Sequence, residues 1–153
     1  MTSPEERLAE MGLAVPEVAK PVAAYVPAGR SGDHVFTSGQ LPMRAGELMV
    51  TGKVGGEVTA EEAYACAQQC VLNAIAAVKS EIGDLSRVVR VVKVVAFIAS
   101  TPDFTGQPGV ANGASELLGE VFGDAGIHAR SAVGVPVLPL DAPVEVELLV
   151  EVK

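Results

Sequence analysis

Residues Val144 to Val152 read Val-Glu-Val-Glu-Leu-Leu-Val-Glu-Val, and this alternation constrains the fold more than any other stretch. Side chains along a strand point to opposite faces with a period of two. Val144, Val146, Leu148, Val150 and Val152 therefore form one apolar face, and Glu145, Glu147, Leu149 and Glu151 form the other. A Pro-rich connection joins this strand to an earlier one carrying Arg130, with Ala132 and Gly134 on the same strand face as the arginine. Small residues at 132 and 134 leave room in front of the guanidinium. A fixed cation beside empty space, with carboxylates on the following strand, suits a small acid.

The apolar face of the last strand needs helices to cover it, and two are legible. Thr59-Ala60-Glu61-Glu62 is a capping box, and the segment it opens runs to Ile82, where Gly83-Asp84 ends it. Ala63, Cys66, Ala67, Cys70, Ala74, Ala77 and Val78 recur at three- and four-residue spacing, a small-residue face that can lie close to a sheet. A second helix is predicted from about Gly109 to Phe122, with Gly123 as its cap. Between them, Val88 to Ala99 is almost all apolar and reads as a central strand buried on both faces.

Ahead of the first capping box, Val22 to Val26 and His34 to Ser38 read as strands around a turn over Ala28 to Asp33. Pro21 and Pro27 bracket the first and suit an edge position. Leu48 to Lys53 reads as a further short edge strand, closed by Gly55-Gly56. Ser3-Pro4-Glu5-Glu6 starts a short N-terminal helix that ends near Gly12. The predicted architecture is α+β, one mixed sheet with two helices packed on one face. The other face also carries apolar residues, and a second copy of the chain is the simplest cover.

The totals narrow the function classes. With 153 residues, 49% hydrophobic and 20% charged, the chain is one globular domain with a real core. Its net charge of −8 opposes nucleic-acid binding, and the one basic cluster, Arg87, Arg90 and Lys93, lacks aromatics for base stacking. No apolar run reaches the roughly 18 residues of a membrane span, and the acidic start has no signal-peptide layout. Cys66 and Cys70 make no disulfide framework, and core packing explains them better than a metal or redox role. A cytoplasmic location follows by default. His34 and His128 have no Ser or Cys partner arranged as a triad, which opposes a nucleophilic hydrolase.

Thr37-Ser38-Gly39-Gln40-Leu41-Pro42, Ala129-Arg130-Ser131, Leu138-Pro139 and Val144-Glu145-Val146-Glu147 together resemble the RidA/YjgF-like family of reactive-intermediate deaminases, also labelled endoribonuclease L-PSP. The similarity runs from about residue 18 to 153, with residues 1–17 as an N-terminal helical extension of a single domain. It implies a chorismate-mutase-like fold and a homotrimer with three sites in clefts between subunits, and the chemistry read from the residues needs no metal or organic cofactor. It also implies hydrolysis of enamine and imine intermediates of the 2-aminoacrylate type to 2-keto acids and ammonia. Carried over by position, Arg130 matches the arginine for the substrate carboxylate and Glu145 the glutamate that holds the attacking water. Ser38, Gly39, Tyr25 and Asn112 match residues lining the cleft. Ala132 stands where many members have a cysteine, which excludes a thiol role.

The residues suit that chemistry. Arg130 can grip a carboxylate through two parallel charge-assisted hydrogen bonds. Glu145, read as one strand over on the open face, can orient and partly deprotonate a water. Blander roles stand beside these: Arg130 pairing with Glu145 or Glu147, Ser38 shaping a strand end, Tyr25 packing on a neighbouring subunit, Asn112 starting a helical turn. Two further functions stay open, a trimer that binds a keto acid without turnover and, less favoured by charge, an endoribonuclease.

Overall fold

The computed structural model describes residues 2–21 and 23–153. Its elements are α1 (Pro4–Glu10), β1 (Ala28–Ser31), β2 (His34–Thr37), β3 (Met43–Arg44), β4 (Glu47–Leu48), α2 (Ala60–Ile82), β5 (Val88–Ala99), α3 (Gln107–Phe122), β6 (Ala129–Val135) and β7 (Val144–Val152). Five strands form a mixed sheet in the order β1-β2-β7-β5-β6, and β3 pairs with β4 apart from it. All five-strand neighbours are antiparallel except β5 and β6. That parallel pair needs a crossover, which α3 supplies.

The strict alternation of β7 follows from its central place in the sheet. Its five even-numbered residues are buried, while Glu145, Glu147, Leu149 and Glu151 are only partly covered. α2 and α3 cover the buried face. α2 opens on the capping box: the Thr59 hydroxyl accepts from the Glu62 amide at 3.1 Å, and the Glu62 carboxylate accepts from the Thr59 amide at 3.0 Å. Such a cap contributes about 1 kcal/mol. The helices then come into backbone contact at Gly113 of α3, where a Cβ would lie 2.2 Å from the Tyr64 carbonyl oxygen. α1 is docked rather than loose: Leu8 is fully buried, and Arg7 donates to the Val121 carbonyl at 3.3 Å.

Several sequence expectations are corrected. The first strand is Ala28–Ser31, inside the stretch read as a turn, and the turn is only Gly32-Asp33 with Gly32 at φ 57°. Residues 23–25 are bends, and position 22 of the expected strand lies outside the described residues. Cross-strand pairing outweighs the turn propensity of Gly29 and Ser31, because Gly29 pairs with Phe36 and leaves room for its ring. The edge strand expected over Leu48 to Lys53 is instead a two-residue ladder of β3 with β4 around Ala45-Gly46, both at positive φ. α3 starts two residues early, at Gln107.

β5 is buried on one face only. Val91, Val94, Ala96 and Ile98 face the helices, whereas Val89 is 42% exposed and Val95 and Phe97 are half-buried. On that open face Phe36 and Val133 are also exposed.

Candidate functional site

Glu145, at the start of β7, lies in the wall of a cavity of about 840 Å³. Tyr25, Gly39, Arg44, Asn73 and Leu140 line it too, together with the strap of residues 16–21 that follows α1. Gly39 sits directly over the carboxylate, since a Cβ there would be 2.3 Å from Glu145 Oε2. Burial, and then the charge of Glu147, push the Glu145 carboxyl above the usual carboxylate range. A carboxyl of raised proton affinity can accept a proton from water and hold it. At the rim, Leu140 and Asp141 both have φ of 59°, a left-handed backbone rare for residues with a Cβ. Lys53 ties that turn through Asp141 at 3.1 Å.

Arg130, on β6, forms a second cluster with α3. Its Nη1 donates to Asn112 Oδ1 at 2.8 Å and to Ser115 Oγ at 3.2 Å, and Nη2 donates to the Pro108 carbonyl at 3.4 Å. Its Nε–H makes no hydrogen bond among the described residues. The guanidinium is thus held by α3 through Nη1 and Nη2, with Nε unpaired among the described residues. Neither Glu145 nor Glu147 pairs with it, so the simple cross-sheet ion pair is not formed.

The two clusters do not meet within one chain. Arg130 pairs in register with Val94, and Val94 with Leu148, both buried, so it faces the helices. Glu145 pairs with Phe97, which pairs with Val133, on the open face. The expectation that Arg130 and Glu145 share the open face on adjacent strands is therefore wrong, because β5 lies between β6 and β7. Two strand spacings and three residues of offset separate their Cα atoms by roughly 14 Å.

The other expected residues divide between the clusters. Tyr25 and Gly39 line the Glu145 cavity. Ser38 donates its hydroxyl to the Val26 carbonyl at 2.6 Å, the strand-shaping role. Asn112 holds Arg130, and Ala132 lies beside Arg130's face of β6, half-buried against the core. The room expected at Gly134 is filled by the Gln107 amide, which would lie 2.8 Å from a Cβ there.

The sequence reading gave no site role to Asn73, Ser115 or His128. Asn73, buried in α2, donates to the Leu41 and Met43 carbonyls at 3.0 Å each and so holds one cavity wall. A lone amide in a run of Ala, Val and Ile was its signal. Ser115 and His128 sit behind Arg130, with Ser115 Oγ 2.8 Å from His128 Nε2. The contact is not a triad, because His128 Nδ1 meets the Gly126 carbonyl at 2.6 Å and no carboxylate. The spacing of Pro108, Asn112 and Ser115, four and then three residues, marks one helix face and was the available clue. Cys66 and Cys70 are buried free thiols, and burial pushes Cys66 up to about 11. Among the described residues no three His, Cys, Asp or Glu side chains are grouped to hold a metal. No helix there is long and apolar enough to cross a membrane.

A mixed sheet with two helices on one face and a crossover into a parallel edge strand defines a YjgF/chorismate-mutase-like α+β protein. Residues 5–152 match the family model described as "YjgF/chorismate_mutase-like, putative endoribonuclease", and the chain belongs to that family. It is 45% identical over 145 residues to Protein TCP17 of Trypanosoma cruzi, covering 94% of this chain and 91% of that protein. It is 34% identical over 143 residues to the 2-iminobutanoate/2-iminopropanoate deaminase of Dermatophagoides farinae, covering 92% and 95%. The crystal structure of protein Atu1372, of unknown function, from Agrobacterium tumefaciens superposes with a TM-score of 0.93 at 44% identity, covering 98% of this chain and 92% of that one.

Proposed function

We propose that this chain hydrolyses small 2-imino acids and their enamine tautomers to 2-keto acids and ammonia, without a cofactor. We further propose that it does so as a homotrimer, in clefts where Arg130 of one copy faces Glu145 of another. The observation that carries the reading is Glu145 itself, a half-buried carboxyl of raised proton affinity in the wall of a cavity large enough for a small acid and water. The deaminase relative supports the reaction class. The exposed apolar face around Phe36 and Val133 supports a covering copy.

The chemistry needs three things. Arg130 takes the substrate carboxylate on its open Nε edge and so fixes the plane of the C=N bond. Glu145 accepts a proton from water as its oxygen bonds to C2, and the C=N electron pair moves to nitrogen, which is protonated. The carbinolamine then collapses: its hydroxyl proton passes to the amine nitrogen, C=O forms, the C–N bond breaks and ammonia departs. No electrons are gained or lost overall. A cytosolic setting goes with the proposal and suits two buried free thiols.

The separation of the clusters within one chain favours a second reading, a protein that binds a keto acid at the Arg130 cluster without turnover. Freshly generated iminopropanoate separates the two. Faster pyruvate release, lost in Arg130→Ala and Glu145→Gln, is the expected result. Thermal stabilisation by pyruvate with no acceleration would favour the binding reading and overturn the first. Sedimentation that shows only monomer would remove the composite cleft.

A further inference from the structure

The proposed reaction gives Ser115 and His128 no task, yet they form a directed chain ending on Arg130. His128 Nδ1 lies 2.6 Å from the Gly126 carbonyl, which can only accept, so Nδ1 carries a proton. In the neutral ring Nε2 is then the acceptor, and the Ser115 hydroxyl donates to it across 2.8 Å. The Ser115 oxygen is left to accept from Arg130 Nη1 at 3.2 Å. Each link sets the direction of the next, from the Gly126 carbonyl through imidazole and hydroxyl to the guanidinium. The Gly126 end is itself rigid, because the turn Gly123–Gly126 packs on α3 so closely that a Cβ at Gly126 would meet the Leu118 carbonyl at 2.2 Å.

We propose that Ser115 and His128 are positioning residues that hold Arg130 with its Nε edge turned outward to receive the substrate carboxylate. This rests on the reading that Arg130 binds that carboxylate. Asn112 Oδ1 and the Pro108 carbonyl also accept from the guanidinium, the first as a side chain with no further side-chain partner among the described residues and the second as part of the α3 backbone. A nucleophilic role for Ser115 is less well served. Its oxygen already accepts from a cation, which lowers its electron density, and it lies in mid-helix rather than on an exposed turn. The pair therefore acts on substrate through Arg130, and its loss falls on affinity rather than on the bond-making step.

The test uses Ser115→Ala, Ser115→Thr, His128→Gln and Arg130→Ala in the full chain. Pyruvate is the probe for calorimetric Kd, and iminopropanoate is the substrate for KM and kcat. Ser115→Ala is expected to raise KM and the pyruvate Kd about tenfold, the scale of one lost hydrogen bond to a charged group, with kcat within about twofold. Ser115→Thr restores the hydroxyl and most of the affinity. His128→Gln keeps a neutral acceptor near the Nε2 position and is expected to fall between Ser115→Ala and wild type; it also serves if Ser115→Ala fails to fold. Wild-type Kd and KM in Ser115→Ala, beside a large loss in Arg130→Ala, would overturn the positioning role and leave the proposed function standing. An unchanged Kd in Arg130→Ala would sink the carboxylate reading and this inference with it. A fall in kcat at unchanged KM in Ser115→Ala would also overturn it.

Discussion

Gly39→Ala gives a sharp test of the Glu145 half of the site. A methyl at position 39 would lie 2.3 Å from Glu145 Oε2, 2.7 Å from its Cδ and 3.0 Å from its Cγ. Carbon and oxygen need more than 3 Å, so the carboxylate must move by about 1 Å or more. The backbone accepts alanine there, since Gly39 is not among the positive-φ residues. The displaced group is the end of a flexible side chain, whose off-rotamer cost is about 0.5–1.5 kcal/mol. Replacing glycine by alanine offsets this by about 0.4–1 kcal/mol through the unfolded state. Net stability should therefore change little. A misplacement of about 1 Å at a catalytic group lowers rate by about a hundredfold. The expected result is thus a near-wild-type thermal midpoint, kcat for iminopropanoate down by about two orders of magnitude, and no further loss when Gly39→Ala is added to Glu145→Ala. A wild-type kcat in Gly39→Ala would refute the reasoning. So would additive losses in the double variant, because the glycine would then act by some route other than the carboxylate.

Gly113→Ala meets backbone instead of a side-chain end, and is expected to cost about 1–3 kcal/mol, with a clear drop in thermal midpoint. Glu145→Gln is expected to lower kcat by about 10²–10⁴ while raising stability at neutral pH. The sign follows from the raised folded pKa: the folded state holds the proton more tightly, so wild-type stability falls as pH rises from the ordinary carboxylate range through the folded value. The stability gap between wild type and Glu145→Gln should close below about pH 4, and urea melts at pH 7 and pH 3.5 would show it. Arg130→Lys keeps the charge but loses the planar fork, so KM should rise at least tenfold; an unchanged KM would argue that charge alone suffices. Cys66 and Cys70, both buried with burial pushing their thiols up, should resist iodoacetamide at pH 8 in the folded protein and react in urea, as read by mass spectrometry.

The parts of the fold legible in sequence are those specified locally. Thr59 with Glu62 caps α2 through contacts only three residues apart, and the alternation of β7 reports a strand covered on one side. The short strands carry no such message. Ala28–Ser31 has glycine, arginine and serine where a strand former belongs, and only the register against His34–Thr37 makes it a strand. The β3–β4 ladder likewise depends on a turn whose first residue, Ala45, adopts a positive φ that its type does not advertise.

Arg130 and Glu145 stood out in the sequence as candidates, but their arrangement did not, and the reason lies in β6. Arg130 and Glu145 occur on successive strands, which suggests adjacency. Yet β6 pairs parallel with β5 and leaves β7 on the far side of it. Within Ala-Arg-Ser-Ala-Val-Gly-Val, hydrophobicity would send Val133 inward and Arg130 outward. The structure does the reverse: Arg130 turns to the acceptors on α3, and Val133 is left 44% exposed beside Phe97 on the open face. An arginine with three α3 acceptors loses little by facing a helix, because its charge is hydrogen-bonded there. Exposed valine and phenylalanine gain nothing from water. Burying that face against a second copy would recover the apolar contact, and in the trimer we propose it would also bring a cavity holding Glu145 toward an arginine already braced to receive a carboxylate.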